Sequence, residues 1–186
     1  LATSPEVLRA ACRALANLAV SREGNSELLA SEGSIPAIIS AMNSHPAHGQ
    51  MQEAACLALA NIAAKSEPNS AAIGREGGIA ALIAAMNSHA ENAAVHKNCC
   101  FALGALTTRA NDANRAAVAK EGGVAVVLAS MKRFAANEPI QKFGLIAVGN
   151  FVHKSAENSA VVVREGGIGT IFAAMRAHAA SQAIQA

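Results

Sequence analysis

Residues Asn69 to Ile79 read Asn-Ser-Ala-Ala-Ile-Gly-Arg-Glu-Gly-Gly-Ile, and the frame of this stretch returns along the chain. Its Glu-Gly pair stands at Glu32-Gly33, Glu76-Gly77, Glu121-Gly122 and Glu165-Gly166, in steps of 44, 45 and 44 residues. A methionine follows each Glu by ten positions, at Met42, Met86, Met131 and Met175. An asparagine precedes each by seven, at Asn25, Asn69, Asn114 and Asn158. Three landmarks in one frame at this period mean stacked supersecondary units, a solenoid. Each unit of such a stack touches only its neighbours.

Within one unit, Asn69 to Arg75 read as a short first helix that stops at Glu76-Gly77. Gly77 suits the left-handed residue just past a helix end. Gly78 then lets the chain turn into a second helix, about 79–88. In the first unit the turn reads Ser34-Ile35-Pro36, with Ser34 expected as N-cap and Pro36 in the first turn, where a missing N–H costs little. The second helix carries the apolar pairs Ile38/Ile39, Leu82/Ile83, Val127/Leu128 and Ile171/Phe172. After Asn87-Ser88-His89 a longer third helix spans about 92–108, its apolar face made by Cys100, Leu103 and Leu106 at helical spacing. The same face is Cys12/Leu15/Leu18, Cys56/Leu59/Ile62 and Leu145/Val148/Phe151. The four asparagines of the first helices are read as helix caps.

Three helices per unit, with a Gly kink between the first two, resemble the armadillo repeat. The residues that carry the resemblance are Asn69 to Ile79 and the third-helix stretches Leu15 to Leu18 and Leu59 to Ile62. The HEAT repeat, with two helices and no Gly-Gly kink, fits less well. The resemblance implies an all-α, right-handed superhelix covering residues 1–186 as one domain. Its divisions are a third helix at 1–21, full repeats at 22–65, 66–109 and 110–154, and a first and second helix at 155–186. Both ends are half-repeats without polar caps, so the native protein is expected to continue on both sides.

Composition agrees with a binding scaffold. Hydrophobic content is 52%, much of it Ala, and Tyr and Trp are absent, so the core should be thin layers of Ala, Leu, Ile and Val. No apolar run approaches the roughly 18 residues of a membrane span, and no basic-then-apolar leader opens the chain. Cys12, Cys56 and Cys100 share a frame position with Leu145, which marks them as core thiols. Equivalent residues of stacked helices sit about 10 Å apart, too far for a disulfide. Cys99, off that frame, is expected to be inert. The cysteines suit a reducing, intracellular compartment, cytoplasmic or nuclear. His45, His89 and His178 share a loop position and are expected to be exposed, one repeat apart and unable to share a metal ion.

In armadillo proteins the third helices line a concave groove, and an asparagine on each clamps the backbone of an extended peptide. The resemblance assigns that role to Asn17, Asn61 and Asn150, with Ala105 breaking the ladder. A carboxamide offers a donor and an acceptor together, matching a peptide bond. The other reading is that these asparagines tie neighbouring helices to each other. Groove specificity falls to residues one or two turns away: Arg13, Leu57, Phe101 and Ile146 four before, Arg9, Lys97 and Lys142 eight before, and Lys65, Arg109 and Lys154 four after. Nuclear-transport adaptors keep Trp at the first of these positions, and this chain has none. With Ser21, Glu53 and the ladder positions included, the stripe holds seven basic residues and one acid, a net of +6 in a chain whose net is +2. Such a groove favours an extended acidic protein segment. Favourable placement of Lys65, Arg109 and Lys154 at helix C-termini explains some of the pattern by itself.

Without aromatic interleaving, nucleic-acid binding is disfavoured. Ser, His and Asp converge in no recurring frame, so no catalysis, cofactor, metal or small-molecule substrate is expected. The rival expectation is structural: the half-repeats at the two ends pack head to tail between copies.

Overall fold

The computed structural model describes residues 4–64, 66–108 and 111–179. Among them every regular element is an α-helix. The first is α1 (Pro5–Ser21). Three triads follow: α2 (Asn25–Ser31), α3 (Ser34–Ser44) and α4 (Gly49–Ala63); α5 (Glu67–Arg75), α6 (Gly78–Ser88) and α7 (Ala93–Leu106); α8 (Asp112–Lys120), α9 (Gly123–Arg133) and α10 (Glu138–Val152). The pair α11 (Ala156–Arg164) and α12 (Gly167–Ala177) comes last. The helices expected at 79–88 and 92–108 correspond to α6 and α7, within two residues at each end, and the third helix expected within 1–21 is α1.

The helices stack in three columns. The long third helices pack in the order α1, α4, α7, α10. The second helices follow as α3, α6, α9, α12, and the first as α2, α5, α8, α11. Units contact their immediate neighbours, so the stack is a helical-repeat solenoid.

The kink between first and second helices has one geometry throughout. Gly33, Gly77, Gly122 and Gly166 take φ of +81°, +82°, +73° and +72°, the left-handed conformation that glycine adopts without cost. The next residue begins the second helix in close contact with the first. A Cβ on Gly78 would lie 2.4 Å from Cγ2 of Ile73 and 2.9 Å from its carbonyl oxygen. In the first unit Gly33, not Ser34, is the N-cap of α3. Ser34 is the first helical residue, and its buried Oγ has no hydrogen-bond partner among the described residues.

The asparagines at the first-helix starts are not the caps. In three units the caps stand three residues earlier, where Ser66 and Ser155 accept through Oγ, and Asn111 through Oδ1, from the backbone N–H of Asn69, Asn158 and Asn114, and in the first unit Gly24 caps α2. The asparagine side chains instead reach outside their helix. Asn69 Nδ2 donates to Ile62 O (3.2 Å) in α4 and to Ser26 O (3.0 Å) in the preceding first helix. Asn114 does the same with Leu106 O (2.8 Å) and Ser70 O (2.9 Å). Asn158 repeats it with Phe151 O (3.0 Å) and Arg115 O (3.2 Å). Each satisfies a carbonyl at the C-terminal end of a third helix, which has no partner within its own helix, and adds a bond to a carbonyl of the preceding first helix.

The core is a series of thin layers. Cys12, Cys56 and Cys100 are buried as expected, and Leu59, Ile62, Leu103, Leu106 and Phe151 are fully so. Burial at the outer units differs. Met42, Met86 and Met131 are at most 2% exposed, whereas Met175 is 36% exposed. In the other units the following third helix covers this face, and no described helix follows α12. At the other end Leu18 is 48% exposed, although its frame partners Ile62, Leu106 and Phe151 are fully buried by a preceding unit.

Candidate functional site

The third-helix column is where the sequence places the site. Asn61 Nδ2 donates to Ala16 O at 2.8 Å, and Asn150 Nδ2 to Gly104 O at 2.9 Å. Both bonds run to the previous third helix, so these amides do tie neighbouring helices. An amide has a second N–H and a carbonyl oxygen, and neither is bonded among the described residues at Asn61 or Asn150. The side chains are thus fixed while most of their hydrogen-bonding capacity stays open. Asn98, off the ladder frame, makes the same tie to Glu53 O at 3.0 Å. Asn17 is exposed and makes no such bond among the described residues.

Two surface cavities collect most of the remaining expected residues. The first, about 270 Å³, brings Arg9, Arg13 and Asn17 of α1 against Glu53 and Leu57 of α4. The second, about 610 Å³, joins Leu57 to Lys97 and Phe101 of α7 and to Pro139, Lys142 and Phe143 of α10. Leu57 is common to both, so the cavities are adjacent stretches of one trough. Phe101 and Phe143 stack with ring centroids 4.9 Å apart and planes 28° from parallel.

Ile146 is 47% exposed and Lys154 is exposed with φ +52°, but neither lines these cavities. Asn61 lines a separate cavity, about 610 Å³, with Val20, Arg22 and Glu27. Lys65 and Arg109 lie outside the described residues. Reading by frame missed Phe143, Asn98, Pro139 and Glu138. Phe143 had a visible signal: it is one of only five Phe in the chain and adjoins the groove residue Lys142.

The charge of the trough is reduced at one end. Arg9 Nε pairs with Glu6 Oε2 at 3.0 Å, and Glu6 Oε1 also meets His48 Nε2 at 3.1 Å. Lys97 and Lys142 make no such pair among the described residues, and the one acid in their cavity is Glu138.

The thiols of Cys12, Cys99 and Cys100 are held as acids too weak to react readily. Burial, aided by nearby Cys56, pushes Cys12 up to about 11. Burial pushes Cys100 up to about 12 and Cys99 well above its ordinary value. Cys99 stands outside the equivalent positions that are about 10 Å apart. One residue before the frame, it turns back toward the previous unit, where its Sγ lies 3.3 Å from Cys56 Sγ. All four cysteines are free.

The loop histidines are half-buried rather than exposed. His89 Nε2 lies 2.8 Å from Pro46 O and His178 Nε2 lies 2.9 Å from Ala135 O, each in the preceding unit. Among the described residues no three His, Cys, Asp or Glu side chains gather in a metal-binding group. Also among them, no helix is long and apolar enough to cross a membrane.

A three-column helical stack with a trough along its long helices defines the chain as a helical-repeat protein. Residues 7–186 match the family described as Protein zer-1 homolog-like, C-terminal domain, and the chain belongs to that family. No curated protein matches. Three engineered proteins solved as crystal structures by the Northeast Structural Genomics Consortium are similar in fold. The first has a TM-score of 0.79 at 24% identity, over 91% of this chain and 66% of that one. The second has 0.80 at 24% identity, over 100% and 46%. The third has 0.80 at 19% identity, over 95% and 75%. This chain therefore spans a little under half to three quarters of their lengths, and at these identities the likeness concerns fold alone.

Proposed function

We propose that the chain is a right-handed solenoid of the armadillo type that binds an extended, acidic protein segment along its third helices. It acts without catalysis, inside the cell, where its thiols stay reduced. The observation that carries this reading is the continuous trough from Arg9, Arg13 and Asn17 through Leu57 to Lys97, Phe101 and Lys142. A bound strand would meet the amides of Asn17 and Asn98 for its backbone and ammonium or guanidinium groups for its carboxylates, and further along the third helices the fixed amides of Asn61 and Asn150. Each neutral backbone contact contributes about 0.5–1.5 kcal/mol net, so several are needed together.

Peptide display against the folded chain tests this, with Asn61→Ala/Asn150→Ala as counter-screen and salt as a variable. Enrichment of Asp/Glu-rich peptides, lost in the double mutant and weakened by salt, supports the groove. No enrichment, or enrichment indifferent to the mutant, overturns it.

A second reading has its own observation. Leu18, Val20 and Leu28 near one end, and Ile168, Phe172 and Met175 at the other, are at least 36% exposed. Head-to-tail packing of copies through these faces would build an open filament or a ring. A particle size independent of concentration removes that reading.

A further inference from the structure

The cavity between Leu57 and Lys142 differs in character from the rest of the trough. Its floor is the stacked pair Phe101 and Phe143, with Leu57 and Pro139 as apolar walls. Lys97 and Lys142 stand in the same frame position of α7 and α10, so their Cα atoms are about 10 Å apart along the stack. Ala105, one turn beyond Phe101 on α7, offers no ladder amide, and the amide that lines this cavity is that of Asn98, tied to Glu53 O. A bound strand here would meet two ring surfaces beside that amide.

We propose that this cavity takes one apolar side chain of the bound strand, with a carboxylate two residues away on each side. The proposal rests on the groove reading above and assigns a sequence preference within it. Side chains of an extended strand alternate faces, so positions two before and two after the apolar residue point the same way as it does. They lie about 13 Å apart at about 3.3 Å per residue, a span that two flexible lysines bracket from about 10 Å. A cationic side chain would also favour the ring faces, but Lys97 and Lys142 repel it. The occupant is therefore acid-x-apolar-x-acid, with Leu, Ile, Met or Phe at its centre.

The test uses the folded chain and two labelled peptides, Gly-Asp-Gly-Leu-Gly-Asp-Gly and its copy with Ala in place of Leu. Fluorescence anisotropy measures affinity, and NMR follows the ring protons of Phe101 and Phe143. The Leu peptide is expected to bind at least about tenfold more tightly and to shift both rings. Phe143→Ala is expected to abolish the discrimination while leaving the weaker acidic binding. Lys142→Glu, which leaves the rings in place, should weaken both peptides equally, and circular dichroism checks that each variant folds. Equal binding of the two peptides, sensitive to Asn61→Ala/Asn150→Ala, overturns the pocket and leaves the groove reading standing. Binding of neither peptide overturns both. A single-stranded oligothymidine that shifts the rings when the peptides do not would reassign the cavity to nucleic acid and overturn the proposal.

Discussion

His96 Nδ1 lies 2.8 Å from Ser130 Oγ, joining α7 to α9 of the next unit inside the core. Gln52 and Gln141 hold the same frame position in α4 and α10. Their Nε2 groups donate to paired carbonyls of Met42 and His45 (2.7 and 3.1 Å) and of Met131 and Phe134 (2.8 and 3.0 Å). The imidazole of His96 faces the matching carbonyls of Met86 and His89, but its buried Nε2 closes a hydrogen bond to neither. It is 5% exposed and packs against Phe134 with ring centroids 5.0 Å apart.

Acid should therefore destabilise the protein through this residue. Burial, and then the charge of Arg133, hold His96 below its ordinary value of 6.5, with Glu91 and the two carbonyls opposing. The unfolded chain takes up the proton first as pH falls, so the residue's contribution to stability is fully present above 6.5 and is lost below it. Thermal melts from pH 7.5 to 5 should show a steeper fall for wild type than for His96→Gln, which restores the amide of the neighbouring units. Parallel curves would exclude His96 as the source.

The first-helix asparagines should matter more to stability than the ladder asparagines. Asn114→Ala strands the C-terminal carbonyl of Leu106 and removes a second buried bond to Ser70 O, and should cost about 2 kcal/mol or more, whereas Asn61→Ala removes one part-buried bond and should cost about 1 kcal/mol. Urea denaturation of the two variants gives the order directly, and a larger loss at Asn61 would reverse it.

The kink carries a pairing rule. Gly78, Gly123 and Gly167 face the β-branched Ile73, Val118 and Val162, whose γ-carbons would meet a Cβ at 2.4, 2.9 and 2.5 Å. Where the first unit has Ser34, the frame equivalent of Ile73 is Leu29, which has no branch at Cβ. Gly123→Ala should thus cost about 1–3 kcal/mol by overpacking. Some of that loss, about 1 kcal/mol, should return in the double variant with Val118→Leu. A double-mutant cycle without favourable coupling would refute the rule.

Thiol reactivity should report opening of the stack. Burial keeps Cys12, Cys99 and Cys100 protonated at pH 8, and the thiolate is the reactive form. Alkylation followed by mass spectrometry should label these residues far more slowly in the folded chain than in urea. Labelling of Cys99 at the unfolded rate under native conditions would contradict its placement against Cys56.

The repeat made the helices and the kink legible, because Glu76-Gly77-Gly78 and its copies mark one local geometry four times. What escaped was long-range. Asn69 and Ser66 are three residues apart, and both are good cap residues by type. Only the partner Ser26 O, from another unit, reveals that Asn69 works between units. The trough was read from frame positions, which found Leu57, Lys97, Phe101 and Lys142 but passed over Phe143, one step off the counted frame. Burial at the ends was illegible because Leu18 and Met175 have the right side chains for a core, yet they are 48% and 36% exposed where the stack of described helices stops.

The three-column stacking also determines how the molecule answers a pull. Every bond that joins one unit to the next, from Asn61 to Ala16 or from Asn150 to Gly104, lies between adjacent links. Tension applied at the two ends is then borne in series rather than shared, and each link feels the whole load. The chain should lengthen as a soft spring at low force and come apart joint by joint at higher force, whichever joint is weakest yielding first.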